Sequence, residues 1–234
     1  MSRADRLLRG EALARAIADR APAARDAFVD DLLAVPAART DDYGDARASP
    51  PPDRIDFVPS GVSAIADAIL KSRIGASDTL VDVGAGFGRV AALVHLLTGA
   101  QARGIELQPA LVERGNAWLR SLGLGSAVRI ERADAIDAEL TPGTVFYLYL
   151  PFIGETQRTF FRRLEEVARQ RQIGVCTLGV DLRDARWLRS IDDSSLWLTA
   201  YESAATGATP RTIRPAYLPS LRWVAEERAR PSAT

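Results

Sequence analysis

The chain of 234 residues sets 30 Lys and Arg against 30 Asp and Glu, for a formal charge of zero, so no strongly basic nucleic-acid surface is expected. Apolar residues make up 47% and charged residues 26%, the composition of an ordinary globular protein long enough to bury its own core. One cysteine, Cys176, and one histidine, His95, exclude a disulfide framework, a CxxC metal pair and a two-histidine metal site within one chain.

At the N-terminus, Leu7, Leu8, Ala12, Leu13, Ala16 and Ile17 recur at helical spacing with charges between them. This predicts helix over residues 3–35, divided in two by Pro22 near the first turn of the second helix. The charges leave no apolar core of the kind a signal peptide carries. The stretch "GTVFYLYLPFIG" is too short to span a bilayer and contains Pro151. A cytoplasmic protein without membrane contact is the expectation. Residues 38–53, "ARTDDYGDARASPPPD", break the pattern and read as a loop, either a tether or a lid over a pocket. Residues 1–53 are thus expected to form a helical cap and linker, and residues 54–234 the main domain.

From residue 60 the pattern alternates. "SGVSAIADAILKSRI" predicts a helix capped by Ser60, followed by a buried strand at "TLVDV" (79–83) and a helix over 89–99 closed by Gly99. Strands at 102–107, 127–132 and 144–150 follow, with a proline-led helix at 109–124 between the first two. A helix over "ETQRTFFRRLEEVARQ" and a strand over "QIGVCTLGV" complete the alternation, which predicts a mostly parallel sheet with helices on both faces. "SSLWLTAYES" (194–203) and "LRWVAEER" (221–228) read as two strands of an antiparallel hairpin, joined by a long loop over 204–220.

The stretch "LVDVGAGFGRV" (80–90) places Gly84, Ala85, Gly86 and Gly88 in a turn after the first strand. In open parallel sheets a ligand sits beyond the carboxyl ends of the strands, where such a turn lets backbone approach it. The spacing is GxGxG, and Arg89 occupies the place of the third glycine of a dinucleotide fingerprint. No GK[ST] follows, which excludes a P-loop. Asp82 precedes the turn by two residues, Glu106 ends the second strand with Leu107 beside it, and "RADA" puts Asp134 and Ala135 just past the third. Glu106 is placed to accept ribose hydroxyls and Asp134 an adenine amino group. Acids around the tail repel a pyrophosphate and suit a cation, so the expected ligand is a phosphate-free adenosine with a cationic tail. S-adenosylmethionine fits.

The motifs "VDVGAGFGR", "GIELQP" and "RADA", with an antiparallel strand at the end, resemble the class I S-adenosylmethionine-dependent methyltransferases over about residues 55–228. The resemblance implies a Rossmann-like, mostly parallel seven-stranded sheet with an antiparallel C-terminal strand, and a methyltransferase activity. "DFVPSGVSAIADAIL" and "VFYLYLPF" further resemble the seven-strand protein-lysine methyltransferases; Phe152 and Glu155 match the histone enzymes, whose two asparagines are missing here. Two acceptors stay open, a protein lysine or other amine and a small metabolite, besides a non-catalytic adenosine-binding module. Phe57 and Ser60 are expected near the methionine end of the cofactor. Tyr149 is the expected catalytic, channel-lining residue, and Tyr149, Phe152 and Tyr217 the expected contacts to substrate. Tyr147 and Cys176 are expected in the core, and no metal is expected.

Overall fold

A computed structural model describes residues 7–37, 58–192 and 198–228. The N-terminal helical pattern resolves into α1 (Gly10–Ala18), a turn of 3-10 helix opened by Pro22, and α2 (Arg25–Leu33). Then come α3 (Val62–Lys71), β1 (Thr79–Val83), α4 (Arg89–Thr98), β2 (Gln101–Glu106), α5 (Pro109–Ser121) and β3 (Val128–Arg132). The second half carries β4 (Val145–Tyr149), α6 (Gly154–Gln170), β5 (Gly174–Leu178), β6 (Leu188–Asp192), β7 (Leu198–Ser203) and α7 (Trp223–Arg228).

The strands form one seven-stranded sheet in the order β3-β2-β1-β4-β5-β7-β6. Strands β1 to β5 run parallel to one another, and β7 runs antiparallel between β5 and β6. The order reverses between β1 and β4, which places the crevice for a ligand beyond Val83 and Tyr149. Alternate side chains sort to the two faces. Leu80, Ala102, Ile130, Tyr147 and Cys176 join an apolar cluster with α3 and α4, while Val81, Ile105, Phe146 and Val175 pack with Phe160 and Leu164 of α6. Leu13, Ala14, Ile17, Val29 and Leu33 of α1 and α2 are buried in the first of these clusters.

The C-terminal part differs from the sequence expectation. The hairpin is made by β6 and β7, and residues 221–228 are not a strand but the end of a 3-10 turn opened by Pro219, followed by α7. Strand β6 is a polar edge strand, so it shows no buried alternation; Arg189 reaches across to Glu202 of β7 at 2.9 Å. Trp223 and Val224, consecutive in the helix, are both buried, which a strand with one face in solvent does not allow. The Arg25 guanidinium stacks 3.6 Å from the Trp223 ring and pairs with Glu227, and Glu11 accepts from the Ser220 hydroxyl. Helix α3 is capped from outside: its N-cap is Gly61, and Asp26 of α2 accepts the Val62 N–H at 2.9 Å. The expected loop at 38–53 and the expected Phe57 contact lie outside the described residues.

Candidate active site

The turn after β1 is held by the sheet itself. Gly84 and Ala85 both donate their N–H to the carbonyl of Ile105 on β2, at 2.9 and 3.1 Å, and Gly88 donates to Ala85 at 2.8 Å. Gly84 has φ 79°, and a Cβ there would stand 2.9 Å from Cβ of Pro151, so the loop after β4 closes directly on the glycine turn. Gly88 has φ 84° as the residue before α4. Leu150, between Tyr149 and Pro151, is a non-glycine at φ 37°, and this strain sits where the sheet meets the crevice.

Two acids flank the turn. Glu106 is 8% exposed; its Oε2 accepts the Gly86 N–H and its Oε1 the Gln108 N–H, each at 2.9 Å. Burial pushes the Glu106 carboxyl above its ordinary value, and the amides of Gln108, Gly86 and Leu107 pull it back only in part. Asp82 is 3% exposed, and its Oδ2 has no hydrogen-bond partner. Burial first, and then the charge of Glu106, pushes Asp82 up to about 8. Asp134 starts the turn after β3, with Oδ1 accepting the Ile136 N–H at 3.1 Å. Ala135 beside it is buried, and Leu107 is exposed.

Arg89, which spoils the dinucleotide spacing, does not face a ligand. Its buried guanidinium pairs with Asp30 at 2.7 Å and Asp26 at 2.8 Å and donates to the Ser60 carbonyl. The turn's own cation is thereby spent on α2 and the chain before α3, and two buried acids set the local potential.

The expected substrate residues separate. Tyr149 stands at the carboxyl end of β4, 39% exposed. Phe152 is buried and packs on Phe160 at a centroid distance of 5.3 Å. Glu155 is on the surface of α6, paired with Arg158 at 2.7 Å. Tyr217 is not brought to the site. The segment around it crosses the amino end of the sheet, where Ala216 donates to Ile74 and Arg211 pairs with Asp78 just before β1. Ser60 is buried behind the turn. The Tyr147 ring lies in the core as expected, yet its hydroxyl, like Asp82 Oδ2, is buried without a hydrogen-bond partner of good geometry. The signal was available, since Tyr147 pairs in register with Asp82.

His95 is structural: Nδ1 donates to the Ala100 carbonyl at 2.8 Å, and Arg9 approaches Nε2 at 3.3 Å. Cys176 is buried against Ser72 Oγ at 2.7 Å, and burial raises its thiol to about 11. Among the described residues no group of three His, Cys, Asp or Glu is arranged to hold a metal, and no helix is long and apolar enough to cross a membrane.

No protein-family model matches the chain. Geranyl diphosphate 2-C-methyltransferase of Streptomyces lasalocidi is 36% identical over 72 residues, 31% of this chain and 24% of that protein. The chain thus spans about a quarter of the length of the curated relative it matches. Among solved structures, an RNA methyltransferase from Salinibacter ruber in complex with S-adenosyl-L-homocysteine is similar at a TM-score of 0.54 and 23% identity, covering 67% of this chain and 99% of that one. With the strand order, the antiparallel β7 and the glycine turn after β1, this likeness settles the architecture: the chain has the seven-stranded, Rossmann-like fold of the class I methyltransferases.

Proposed function

We propose that the chain is an S-adenosylmethionine-dependent methyltransferase whose acceptor is a small molecule. The observation that carries the reading is the pair of buried acids, Asp82 and Glu106, around a glycine turn whose own arginine is turned away. A phosphate would meet the Glu106 carboxyl and no arginine of the turn there, whereas an ammonium answers the unpaired Asp82 Oδ2. In this reading Asp82, Gly84, Ala85, Gly86 and Gly88 hold the methionyl tail, Glu106 and Leu107 the ribose, and Asp134 and Ala135 the adenine. Ser60 borders the donor site in this reading.

When bound, the donor supplies an electrophilic methyl group on a sulfonium. The chain's task is then alignment and exclusion of water, and proximity alone contributes roughly 7–11 kcal/mol in favourable cases. Tyr149 offers its ring at the carboxyl end of β4, and an aromatic face stabilises a cation by about 0.5–2 kcal/mol. With His95 committed to the end of α4, no imidazole base serves the site. A nitrogen acceptor, made neutral by a dry channel, fits that better than a hydroxyl.

The support for a protein-lysine acceptor weakens. Phe152 and Glu155, the residues that matched the histone enzymes, point into the core and onto the surface of α6. The curated relative that matches acts, by its name, on a small molecule. Incubation with methyl-labelled donor and lysate, followed by separation of protein from small molecules, tests this. Label in the small-molecule fraction is expected; label confined to protein overturns the acceptor, and no transfer to either favours a non-catalytic module.

A further inference from the structure

The two unpaired atoms at the site lie on neighbouring strands. Register pairs Asp82 of β1 with Tyr147 of β4, flanked by Gly104 of β2 and Cys176 of β5, so the Asp82, Tyr147 and Cys176 side chains share the face covered by α3 and α4. Asp82 is 3% and Tyr147 1% exposed; Asp82 Oδ2 has no hydrogen-bond partner, and the Tyr147 hydroxyl has none of good geometry, although the Ser60 side chain is near enough to act on it. A phenylalanine would pack the same space without a buried hydroxyl, which costs stability when unsatisfied. The hydroxyl therefore has a use that the free protein does not display.

We propose that Tyr147 is a positioning residue that acts through Asp82: when the donor's ammonium draws Asp82 into its carboxylate form, the Tyr147 hydroxyl donates to Oδ2, directly or through one water, and fixes that carboxylate. The inference rests on the donor-binding reading above. The groups around the pair leave this role open. Glu106 faces Asp82 from β2 and raises it. Burial raises the pKa of the Tyr147 hydroxyl above the ordinary value, the Ser60 hydroxyl from the chain before α3 lowers it in part, and Asp82 of β1, Cys176 of β5 and Tyr149 of β4 raise it further, so it remains a donor. Arg89 of α4 is held by Asp26 and Asp30, and Lys71 of α3 lies 3.5 Å from Asp67.

The coupling has a signature. With Asp82 near 8 in the free protein, binding of an ammonium releases a proton at neutral pH, and affinity rises as pH rises toward 9. Titration calorimetry with S-adenosylhomocysteine, which keeps the ammonium and lacks the sulfonium, reads this without turnover. Tyr147→Phe is expected to weaken binding about tenfold at pH 7, the worth of one hydrogen bond to a charged group that only the bound form offers there, and much less at pH 9, where Asp82 is a carboxylate with or without ligand. Its melting temperature without ligand is expected to hold or rise. In an Asp82→Asn background the pH dependence flattens and the Tyr147→Phe loss disappears, because the two act as one unit. Equal affinity for wild type and Tyr147→Phe at all pH values overturns the proposal, as does a loss that is uniform from pH 6 to 9. Absence of binding by the wild type sinks the donor reading itself, and the proposal with it.

Discussion

Arg89 Nη2 lies 2.8 Å from Asp26 Oδ1, and the same oxygen accepts the Val62 N–H at 2.9 Å. One carboxylate thus joins the first residue of the helix after the glycine turn to the first residue of α3, and both to α2. Arg89 is buried while Asp26 is half exposed. Removing the arginine strands Asp30 and the Ser60 carbonyl, whereas removing Asp26 leaves Arg89 its other partners. Arg89→Met is therefore expected to lower stability by about 2–4 kcal/mol, and Asp26→Asn by about 1 kcal/mol. Denaturant melts of the two variants check the order; equal effects contradict it.

At the opposite end of the sheet, Arg211 holds Asp78 through two hydrogen bonds of 2.8 and 2.9 Å and donates to the Ser72 carbonyl at 3.0 Å. Both side chains are almost fully buried. Breaking such a pair from one side leaves a buried charge, which typically costs about 3–5 kcal/mol. Arg211→Ala is expected to show that loss in a denaturant melt while leaving the affinity for S-adenosylhomocysteine within about twofold, because the pair lies far from the glycine turn.

This second cluster shows where the sequence stopped being legible. The alternation of apolar strands and amphipathic helices specified β1 to β5 and the helices between them, because each element is internally periodic. The glycine turn with Glu106 and Asp134 was legible because strand ends in this topology share one edge. Strand β6 was not, since an edge strand buries too little to alternate, and α7 was not, since its helix is set by the stack of Arg25 on Trp223 from a distant part of the chain. Tyr217 was misplaced for a related reason. Nothing local indicates that Arg211 ties its segment to the amino end of the sheet.

Stability should fall as the medium becomes alkaline. Asp82 has the ordinary carboxylate value of about 3.8 when unfolded, and burial pushes it up to about 8 in the fold, so between these values the folded state holds the extra proton. By linkage, this group's contribution is fully present below about pH 4 and is lost as pH rises through about 8. Melts of wild type and Asp82→Asn from pH 5 to 9 check the sign. The Asn variant is expected to gain on the wild type as pH rises; a constant difference contradicts the assignment.

The proposal that the acids around the glycine turn bind the adenosine and the cationic tail of a methyl donor is tested most directly by calorimetric titration of the full chain with S-adenosylhomocysteine, for wild type and for Glu106→Gln. Micromolar binding by the wild type is expected, with a loss of about tenfold or more in the variant, since a charged acceptor for the ribose hydroxyls becomes neutral. No saturable binding by the wild type, or equal affinity of the two proteins, contradicts it.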